Sequence, residues 1–497
     1  MSYNVARSVA VIVGLAPIGM AGRAVACSDV PCTPESCAVL GANGKLGAHA
    51  MALGPTSGSL GSSANHAPVS DLTRSYNLQL MSHLSLAQIG GGAGSSLYGW
   101  VDPQTGHEYA IMGRSTGTAF VDITNPAQPL YVANLPRVSG STATSWREPK
   151  VYQNTVYVGV DGTSVGMQVM DLTKLRTYTG TTLTLAADKV YTNVTKVHTL
   201  AINPASGYLY ADGTRSESTG LGGLHVIDVR NPANPTFVTE YNGDNYTHES
   251  QVVTYHGPDT AYQGRELAFN SNGKSGSNGD TFSIVDVTNK SAITRVASKT
   301  YPNAAFIHQG WLTEDQRYFF QNDELDEENG LTGGHTRTHL WDVSDLDNPV
   351  YKGYYDHAGT SIDHNLYVKN GFLFETNYTS GLHMLKIGNL ASSNPSDWLK
   401  EVAAYDTYTA NDAATFNGAW NNYPFFPSGN IAISDINGGL FVVRPTVSGW
   451  AAASPIGPAT LNAFVGPTVP EPAAAAALML AIAGIGTSLR RRPRAGV

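Results

Sequence analysis

The fold is decided by the stretch Leu224-His225-Val226-Ile227-Asp228-Val229, because related stretches recur along the whole chain. The stretch is rich in β-branched residues, ends in Asp and is followed by a turn, which is typical of a short β-strand. Its copies in chain order are Thr118–Ile123, Met167–Leu172, Leu224–Val229, Phe282–Val287, Thr338–Val343, Leu382–Ile387 and Leu440–Pro445. The last two copies are degenerate.

The spacing of these copies predicts the architecture. Successive Asp-equivalent positions lie 49, 57, 58, 56, 44 and 58 residues apart. Repeats of about 40–50 residues with several strands each are the signature of propeller blades. One four-stranded sheet cannot bury both faces alone, whereas a closed ring of sheets can. The sequence therefore predicts an all-β, seven-bladed β-propeller over residues 72–445, with each terminal Asp as a turn former.

The composition bounds the function. The chain has 497 residues, of which 42% are hydrophobic and only 14% are charged, and it contains 52 Gly. The net charge is −9, and no long basic stripe occurs before the C-terminus, so nucleic acid is not expected as a partner. Low charge with abundant Gly favours an exported protein.

The N-terminus reads as a secretory signal peptide over residues 1–26. Arg7 supplies the positive charge, an apolar stretch follows, and Ala24-Val25-Ala26 forms a small-residue cleavage site. A buried first strand or helix is the alternative. Residues 27–71 hold Cys27, Cys32 and Cys37 and then a flexible Gly-, Ala- and Ser-rich linker. An exported protein permits one disulfide among these cysteines, and the sequence does not decide which pair forms it.

The C-terminus carries a second targeting segment after a linker at residues 446–468. Its parts are the motif Pro470-Glu471-Pro472, a 17-residue apolar run from Ala473 to Leu489, and the cluster Arg490-Arg491-Arg492. The run is at the short limit for a membrane-spanning helix, and the arginines would stay cytoplasmic.

This order over residues 469–494 resembles the PEP-CTERM sorting signal of Gram-negative bacteria. The resemblance implies transient anchoring in the inner membrane through the C-terminal helix. A sorting protease or transpeptidase would then cut near the motif and release the protein to the cell surface or the extracellular space. An ordinary C-terminal membrane anchor is the alternative.

The middle of the chain also carries a resemblance. The repeated strand resembles the LVIVD repeat of bacterial surface propellers, and the longer pattern over roughly residues 75–445 resembles the choice-of-anchor B family. Segments that carry the resemblance include Gly113-Arg114-Ser115, Tyr246-Thr247-His248-Glu249, His308-Gln309-Gly310-Trp311 and His364-Asn365-Leu366-Tyr367. The resemblance implies a propeller at the cell surface and brings no established activity.

A second repeated feature is a His near the start of a blade's first apolar strand. It occurs at His198, His248, His308 and His364, and Arg147 followed by Glu148 takes the matching place in blade 2. First strands line the channel of a propeller, so these side chains should converge on one ring.

With Glu148, Glu249 and Asp363 beside it, such a ring could hold an anionic ligand or a divalent metal, Ca²⁺ or a transition metal. Hydrogen bonding between blades is the alternative role for these residues.

Two further groups leave alternatives open. The acidic cluster Asp323, Glu324, Asp326, Glu327 and Glu328 is either a calcium site or a solvated loop, and it lacks the spacing of an EF-hand. The aromatics at Tyr378, Trp420 and Tyr423–Phe426 are either platforms for a sugar or peptide or blade-packing residues.

Three functions fit these patterns. The first is a non-catalytic surface or matrix protein that binds polysaccharide or another surface protein. The second is a metal-dependent hydrolase with the His ring at its site, and the third is a purely structural matrix component. The sequence motifs common in hydrolases, nucleotide-binding proteins and dinucleotide enzymes do not occur where the predicted strands and helices would support them. These classes are therefore less expected.

Overall fold

The computed structural model describes residues 75–214, 222–273 and 280–450, which form seven sheets whose strands pair antiparallel except for one short parallel pair. The prediction of a seven-bladed β-propeller is confirmed. Short 3-10 helices occur at Leu86–Ile89, Leu172–Thr177 and Pro395–Asp397. Within the described ranges no helix has the length and apolar character needed to cross a membrane. The predicted signal peptide, the three cysteines and the sorting motif with its apolar run lie outside the described residues.

The strands follow the chain blade by blade, and within each blade the first strand is the innermost. The chain begins with β1 (Leu78–Ser85), followed in blade 1 by β2 (Gly94–Val101), β3 (Glu108–Arg114), β4 (Gly117–Asp122) and β5 (Leu130–Pro136). Blades 2 and 3 contain β6 (Arg147–Tyr152), β7 (Thr155–Val160), β8 (Met167–Asp171), β10 (Lys189–Tyr191), β11 (Thr199–Asn203), β12 (Tyr208–Asp212), β13 (Leu224–Asp228) and β14 (Thr236–Tyr241). The short β9 (Leu183–Thr184), between β8 and β10 in the chain, joins the sheet of blade 1 by pairing in parallel with β5.

The remaining four blades repeat the same order. Blades 4 and 5 contain β15 (Glu249–Thr254), β16 (Glu266–Asn272), β17 (Thr281–Asp286), β18 (Thr294–Lys299), β19 (Ile307–Leu312), β20 (Tyr318–Asp323), β21 (Arg337–Asp342) and β22 (Val350–Asp356). Blades 6 and 7 contain β23 (Asn365–Lys369), β24 (Phe372–Thr376), β25 (Leu382–Ile387), β26 (Leu399–Tyr405), β27 (Ala419–Tyr423), β28 (Ile431–Asp435) and β29 (Gly439–Pro445).

The seventh blade takes its outer strand from the other end of the chain. Its order is β1-β29-β28-β27, and β1 pairs antiparallel with β29 from Leu78 opposite Pro445 to Ser85 opposite Gly439. Leu78 is buried in an apolar cluster with Phe441 and Val443. This pairing closes the ring by joining strands from the two ends of the propeller in one blade, which the sequence repeats alone did not indicate.

The repeated stretch forms the third strand of every blade, and its Asp performs the predicted turn role. In each of the five blades that have this Asp, a side-chain oxygen accepts a hydrogen bond from the backbone N–H two residues later, as in an Asx-turn. The five bonds are Thr124 N to Asp122, Thr173 N to Asp171, Arg230 N to Asp228, Thr288 N to Asp286 and Ser344 N to Asp342, at 2.8–3.0 Å.

Apolar clusters fill the space between adjacent blades. Between blades 4 and 5, for example, Phe282 stacks on Phe319 with ring centroids 4.8 Å apart, and Trp341 lies 5.0 Å from Phe282. A close approach also requires glycine where blade 1 meets blade 2. A Cβ on Gly113 would lie 2.3 Å from the carbonyl oxygen of Arg147. Glycine therefore lets the first residue of β6 approach blade 1 at the channel.

The first strands contact one another in a closed series. The series runs β2, β6, β11, β15, β19, β23, β27 and back to β2. These strands surround the channel, as predicted, and their first residues lie at one end of it.

Candidate metal centre at one end of the channel

Four histidines at the starts of blades 3 to 6 contact one another in sequence around this end of the channel, with neighbouring rings tilted by 39–56°. We call His198, His248, His308 and His364 the histidine arc. Neighbouring ring centroids are 4.3 Å apart for His198 and His248, 4.2 Å for His248 and His308, and 4.3 Å for His308 and His364. Equivalent positions in successive blades therefore meet, because the fold repeats them around a common axis.

The arc borders a small cavity that also takes in most of the other predicted site residues. The open volume is about 20 Å³, which is room for one ion or water molecule. Besides the arc, the lining includes Ser95, Ser96, Trp146, Arg147, Glu148, Thr199, Glu249, Asn365 and Trp420. Asp363 is not part of the lining, and its carboxylate lies with those of Asp326 and Glu327.

Backbone carbonyls fix the orientation of two of the imidazoles. His364 Nδ1 lies 2.5 Å from the carbonyl oxygen of Trp420, and His248 Nδ1 lies 3.0 Å from that of His308. A carbonyl only accepts hydrogen bonds, so each Nδ1 carries the proton and donates it. In the neutral ring Nε2 is then the atom with a lone pair, as required of a metal ligand. His198 Nδ1 instead pairs with the Asp161 carboxylate at 2.9 Å.

Glu324 completes a group of three ligands with the last two histidines of the arc. We call His308, Glu324 and His364 the triad, and its three ligand atoms lie within 4.8 Å of one another. His308 Nε2 is 3.8 Å from one carboxylate oxygen of Glu324, and His364 Nε2 is 3.5 Å from the other. These separations are too long for good hydrogen bonds. They are close to the spacing of about 3.4 Å between two ligands that each lie near 2.1 Å from a tetrahedral ion.

Sequence reasoning placed Glu324 in the acidic cluster and not with the histidines. Asp323, the last residue of β20, lies opposite Ile307, and the Glu324 N–H donates to the Phe306 carbonyl. The hairpin register thus brings Glu324 beside the start of β19, where His308 stands. His198 and His248 extend the arc but belong to no group of three ligands among the described residues.

Glu324 is buried, and its carboxylate has a defined hydrogen-bond donor. Burial raises its pKa to about 7, while a hydrogen bond from Tyr378 acts to lower it. That bond runs from the Tyr378 hydroxyl to Glu324 Oε1 at 2.6 Å. Tyr378 is fully buried and has a positive φ of 35°, which is an unusual conformation for a bulky residue.

The remaining charged residues of the cavity are Arg147, Glu148 and Glu249, and they differ in their partners. Glu148 forms an ion pair with the buried Lys150. Burial raises the pKa of Glu249 to about 8, with Lys150 acting to lower it and Glu148 and Asp212 acting to raise it. Arg147 is buried, and its Nε donates to the Arg114 carbonyl at 3.1 Å. Burial and then the charge of Arg114 lower the pKa of Arg147 to about 10.

The acidic cluster is not a solvated loop, which was one of its two predicted alternatives. Asp323, Glu324, Asp326 and Glu327 are buried, and only Glu328 is exposed. Asp326 and Glu327 lie with Asp363 in a second group of three ligands. The cluster therefore divides. Glu324 lies with the histidines, whereas Asp326 and Glu327 lie with Asp363.

The aromatic residues serve mainly in packing. Tyr378 and Phe426 are fully buried, and Trp420 is nearly so, which contradicts an exposed aromatic platform at these positions. The ring centroids of Trp420 and His364 are 5.1 Å apart in an edge-to-face arrangement, and Trp420 forms part of the cavity wall.

The fold defines the class, a seven-bladed β-propeller, and one of its repeats matches a family model. Residues 220–243 match the LVIVD repeat family, and this segment contains the third strand of blade 3. No curated protein sequence matches the chain.

Several solved structures are similar at low identity. They include Kuenenia stuttgartiensis hydrazine synthase (12% identity, 68% of this chain and 93% of that chain, TM-score 0.47), the β-propeller domain of Myceliophteria thermophila Cps50 (Swd1) (10%, 72% and 99%, 0.45) and a Lactobacillus plantarum protein (11%, 64% and 84%, 0.42). At these values the likeness adds nothing to the fold assignment, which rests on the strand pairing.

Proposed function

We propose that this protein is an exported, surface-sorted β-propeller that binds a divalent transition metal at the triad of His308, Glu324 and His364. The observation that carries the metal site is the placement of two imidazole Nε2 atoms 3.5 and 3.8 Å from the two oxygens of one buried carboxylate. Imidazole and carboxylate together suit Zn²⁺, Mn²⁺ or Fe²⁺.

The second layer of contacts supports the same proposal. The His364 Nδ1–H is held by the Trp420 carbonyl, and Glu324 is held by the Tyr378 hydroxyl. Metal-ligating histidines and carboxylates commonly have such outer partners, which fix the ligands before the ion arrives. A bound cation would also balance the negative charge of the buried Glu324, whose ion-pair partners among the described residues are histidines.

Export and surface sorting rest on the two ends of the sequence. The signal-peptide pattern of residues 1–26 and the order of Pro470-Glu471-Pro472, apolar run and arginines support them. We propose that the protein belongs with choice-of-anchor B surface proteins and uses a PEP-CTERM tail, from which a sorting transpeptidase releases it. Expression of a fluorescent fusion with Glu471→Ala tests the tail. Unchanged release into the medium would contradict it.

Metal analysis of the purified protein tests the site. We expect about one equivalent of a transition metal per chain, and we expect His308→Ala and His364→Ala each to lose it. A matched control is His107→Gln, because His107 also pairs with a carboxylate, Asp122, at 2.7 Å but lies exposed. Wild-type protein that neither contains nor takes up Zn²⁺ or Mn²⁺ would refute the proposal.

In the first form of the proposal the site is non-catalytic and serves binding to a surface polysaccharide or protein. The metal would then stabilise the channel end that presents Trp146 and Arg147. A glycan array and a surface-protein pulldown, each performed with wild type and His308→Ala, test this form. Binding that is equal for both proteins would separate the partner from the metal site.

A metal-dependent hydrolase is the second candidate. Three ligands from the triad leave coordination positions for water, as catalytic zinc sites do, and the adjoining cavity has room for one molecule. His248, with its ring 4.2 Å from that of His308, would serve as the base. Activity toward carboxylic or phosphate esters that survives His308→Ala in the metal-depleted protein would eliminate this candidate.

A further inference from the structure

A second group of buried carboxylates uses none of the triad's residues. We call Asp326, Glu327 and Asp363 the acidic pocket. One carboxylate oxygen from each lies within 4.8 Å of the others. The first two residues follow β20 of blade 5, and the third precedes β23 of blade 6, so the pocket lies where these two blades meet. All three side chains are buried.

Little positive charge compensates these three acids. Among the described residues, the ion-pair partner of the pocket is His339, whose Nε2 is 3.4 Å from Asp326. Arg337 directs its guanidinium to Asp356 instead and gives the pocket only its backbone N–H, which donates to Glu327 at 2.9 Å. Such a concentration of buried acid is costly without a cation.

Two of the oxygens are also buried without a hydrogen-bond partner. They are Asp326 Oδ1 and Asp363 Oδ1, as found among the described residues. The adjacent amide oxygen of Asn322 has no partner either, although its Nδ2 donates to Asp363 Oδ2 at 2.7 Å. Buried polar atoms in native proteins are nearly always satisfied, and a bound ion is one accepted reason for an exception.

The neighbouring Asp323 shows what a structural acid looks like at this position. It accepts hydrogen bonds from the Tyr301 hydroxyl at 2.8 Å and from the backbone N–H groups of Ala305 and Phe306 at 2.8 and 2.6 Å. Both of its oxygens are therefore satisfied by protein groups. The acids of the pocket differ from Asp323 because each Asp keeps one oxygen without such a donor.

We infer that Asp326, Glu327 and Asp363 bind a Ca²⁺ ion. The donor set consists of carboxylate oxygen atoms, which suits a hard cation and not the transition metal proposed for the triad. The ion would join blade 5 to blade 6 at the channel end. This site is independent of the proposed function, because the two sites share no ligand.

The test begins with full-length wild-type protein. Elemental analysis of the purified protein, and calorimetric titration with Ca²⁺ after chelation, should each show one bound Ca²⁺ per chain. Thermal unfolding should show a rise in Tm when Ca²⁺ is added. We expect Asp363→Asn to weaken Ca²⁺ binding on the order of 100-fold, since charge count tunes such affinities. The same variant should raise Tm in chelator, where one repulsive charge is gone, and lower it relative to wild type in Ca²⁺.

Controls separate this site from other acids and from the triad. Asp345→Asn alters the exposed group of Asp259, Asp345 and Asp347 and should leave Ca²⁺ affinity unchanged. His308→Ala removes the transition-metal ligand and should also leave Ca²⁺ binding intact, so the two proposals fail separately.

A readout on unaltered protein covers the case in which a variant does not fold. Tb³⁺ luminescence should appear on titration of the chelated wild type and should be quenched by competing Ca²⁺. Wild-type protein that contains no Ca²⁺ and binds neither Ca²⁺ nor Tb³⁺ would overturn the inference. Equal Ca²⁺ affinity in wild type and a folded Asp363→Asn variant would do the same.

Discussion

At the scale of single residues, Tyr378 joins backbone strain to the candidate metal centre. A buried aromatic residue with φ of 35° occupies a conformation that usually costs about 1–3 kcal/mol. The conformation places the Tyr378 hydroxyl 2.6 Å from Glu324 and its ring 4.6 Å from that of His364. Strain held at a group that touches two members of the triad is consistent with a ligand-positioning role.

Removing this hydroxyl should weaken the metal site without removing a ligand. We expect Tyr378→Phe to lower Zn²⁺ affinity by about 10- to 100-fold, the usual effect of losing an outer partner of a metal ligand. Calorimetric titration measures it. Tyr157→Phe is the control, because this buried Tyr also loses one hydrogen bond, to the Pro232 carbonyl at 2.8 Å, away from the triad. Equal losses in both variants would reduce Tyr378 to a general stabilising residue.

A second residue-scale prediction concerns the pair His383–Glu401, whose atoms are 2.8 Å apart. Burial acts to raise the pKa of Glu401, but the hydrogen bond and charge of His383 lower it to about 2. Burial acts to lower the pKa of His383, yet Glu401 raises it above its ordinary 6.5. The stability that Glu401 contributes is present above its ordinary pKa of 4.5 and is lost as the pH falls toward 2. The stability that His383 contributes is present below its ordinary pKa of 6.5 and is lost as the pH rises through the raised pKa.

The pair therefore stabilises the fold most between pH 4.5 and 6.5. We expect the difference in free energy of unfolding between wild type and Glu401→Gln to be larger at pH 5.5 than at pH 9. Urea unfolding at the two pH values measures it, with Lys400→Gln on the same strand as the exposed control. A difference in free energy of unfolding that is larger at pH 9 than at pH 5.5 would contradict the ionised states assigned to His383 and Glu401.

Sequence could predict the site only in part, for reasons visible at single positions. The arc was predictable because His198, His248, His308 and His364 hold equivalent places in a repeat. Glu324 was not, since its partnership with His308 depends on the β19–β20 register and occurs in one blade only. Asp363 was predicted beside the histidines from its place in the sequence, whereas its grouping with Asp326 and Glu327 depends on how blades 5 and 6 meet.

At the scale of elements, the third strands carry the sequence signal and the first strands carry the site. The third strands could be located because their Asp-capped turns recur in five blades. The outer strand of blade 7 could not, since β1 lies more than 350 residues before its partner β29 and lacks the repeated pattern. Ring closure therefore depends on a contact between distant parts of the chain and cannot be recognised from the sequence repeat.

The closing strand should contribute strongly to stability. We expect Leu78→Ala to lower the free energy of unfolding by about 2 to 5 kcal/mol, because it leaves a cavity beside Phe441 and Val443. Denaturant unfolding checks this. Gln79→Ala on the exposed face of β1 should change little. A Leu78→Ala loss no larger than that of Gln79→Ala would mean that β1 does not seal the ring.

At the scale of the whole molecule, the ring should tolerate a change in where the chain begins. Opening it between Ser291 and Ala292, in the exposed turn between β17 and β18, would make β18 the closing N-terminal strand of blade 4. Residues 450 and 75 would be joined by a Gly-Ser linker of about ten residues, which spans roughly 17 Å on average. The permuted protein then repeats in blade 4 the arrangement that β1 has in blade 7.

We expect this permutant to fold and to keep the metal and Ca²⁺ binding of the wild type. Thermal unfolding and the two titrations measure it. A permutant opened inside the β19–β20 hairpin, at Asp315–Gln316, is the contrasting case, since it cuts the register that places Glu324 beside His308. Loss of binding in the first permutant but not in the second would contradict the assigned roles of these hairpins.

The pairing of β1 with β29 also has a mechanical consequence. Leu78 and Pro445 are partners at the same end of this ladder, so the chain enters and leaves the propeller at neighbouring points. A force that pulls these two points apart loads the hydrogen bonds one at a time, as in opening a zipper, and not all together in shear. In a force-spectroscopy experiment with handles at these two positions, the propeller should open first at the β1–β29 ladder and at low force.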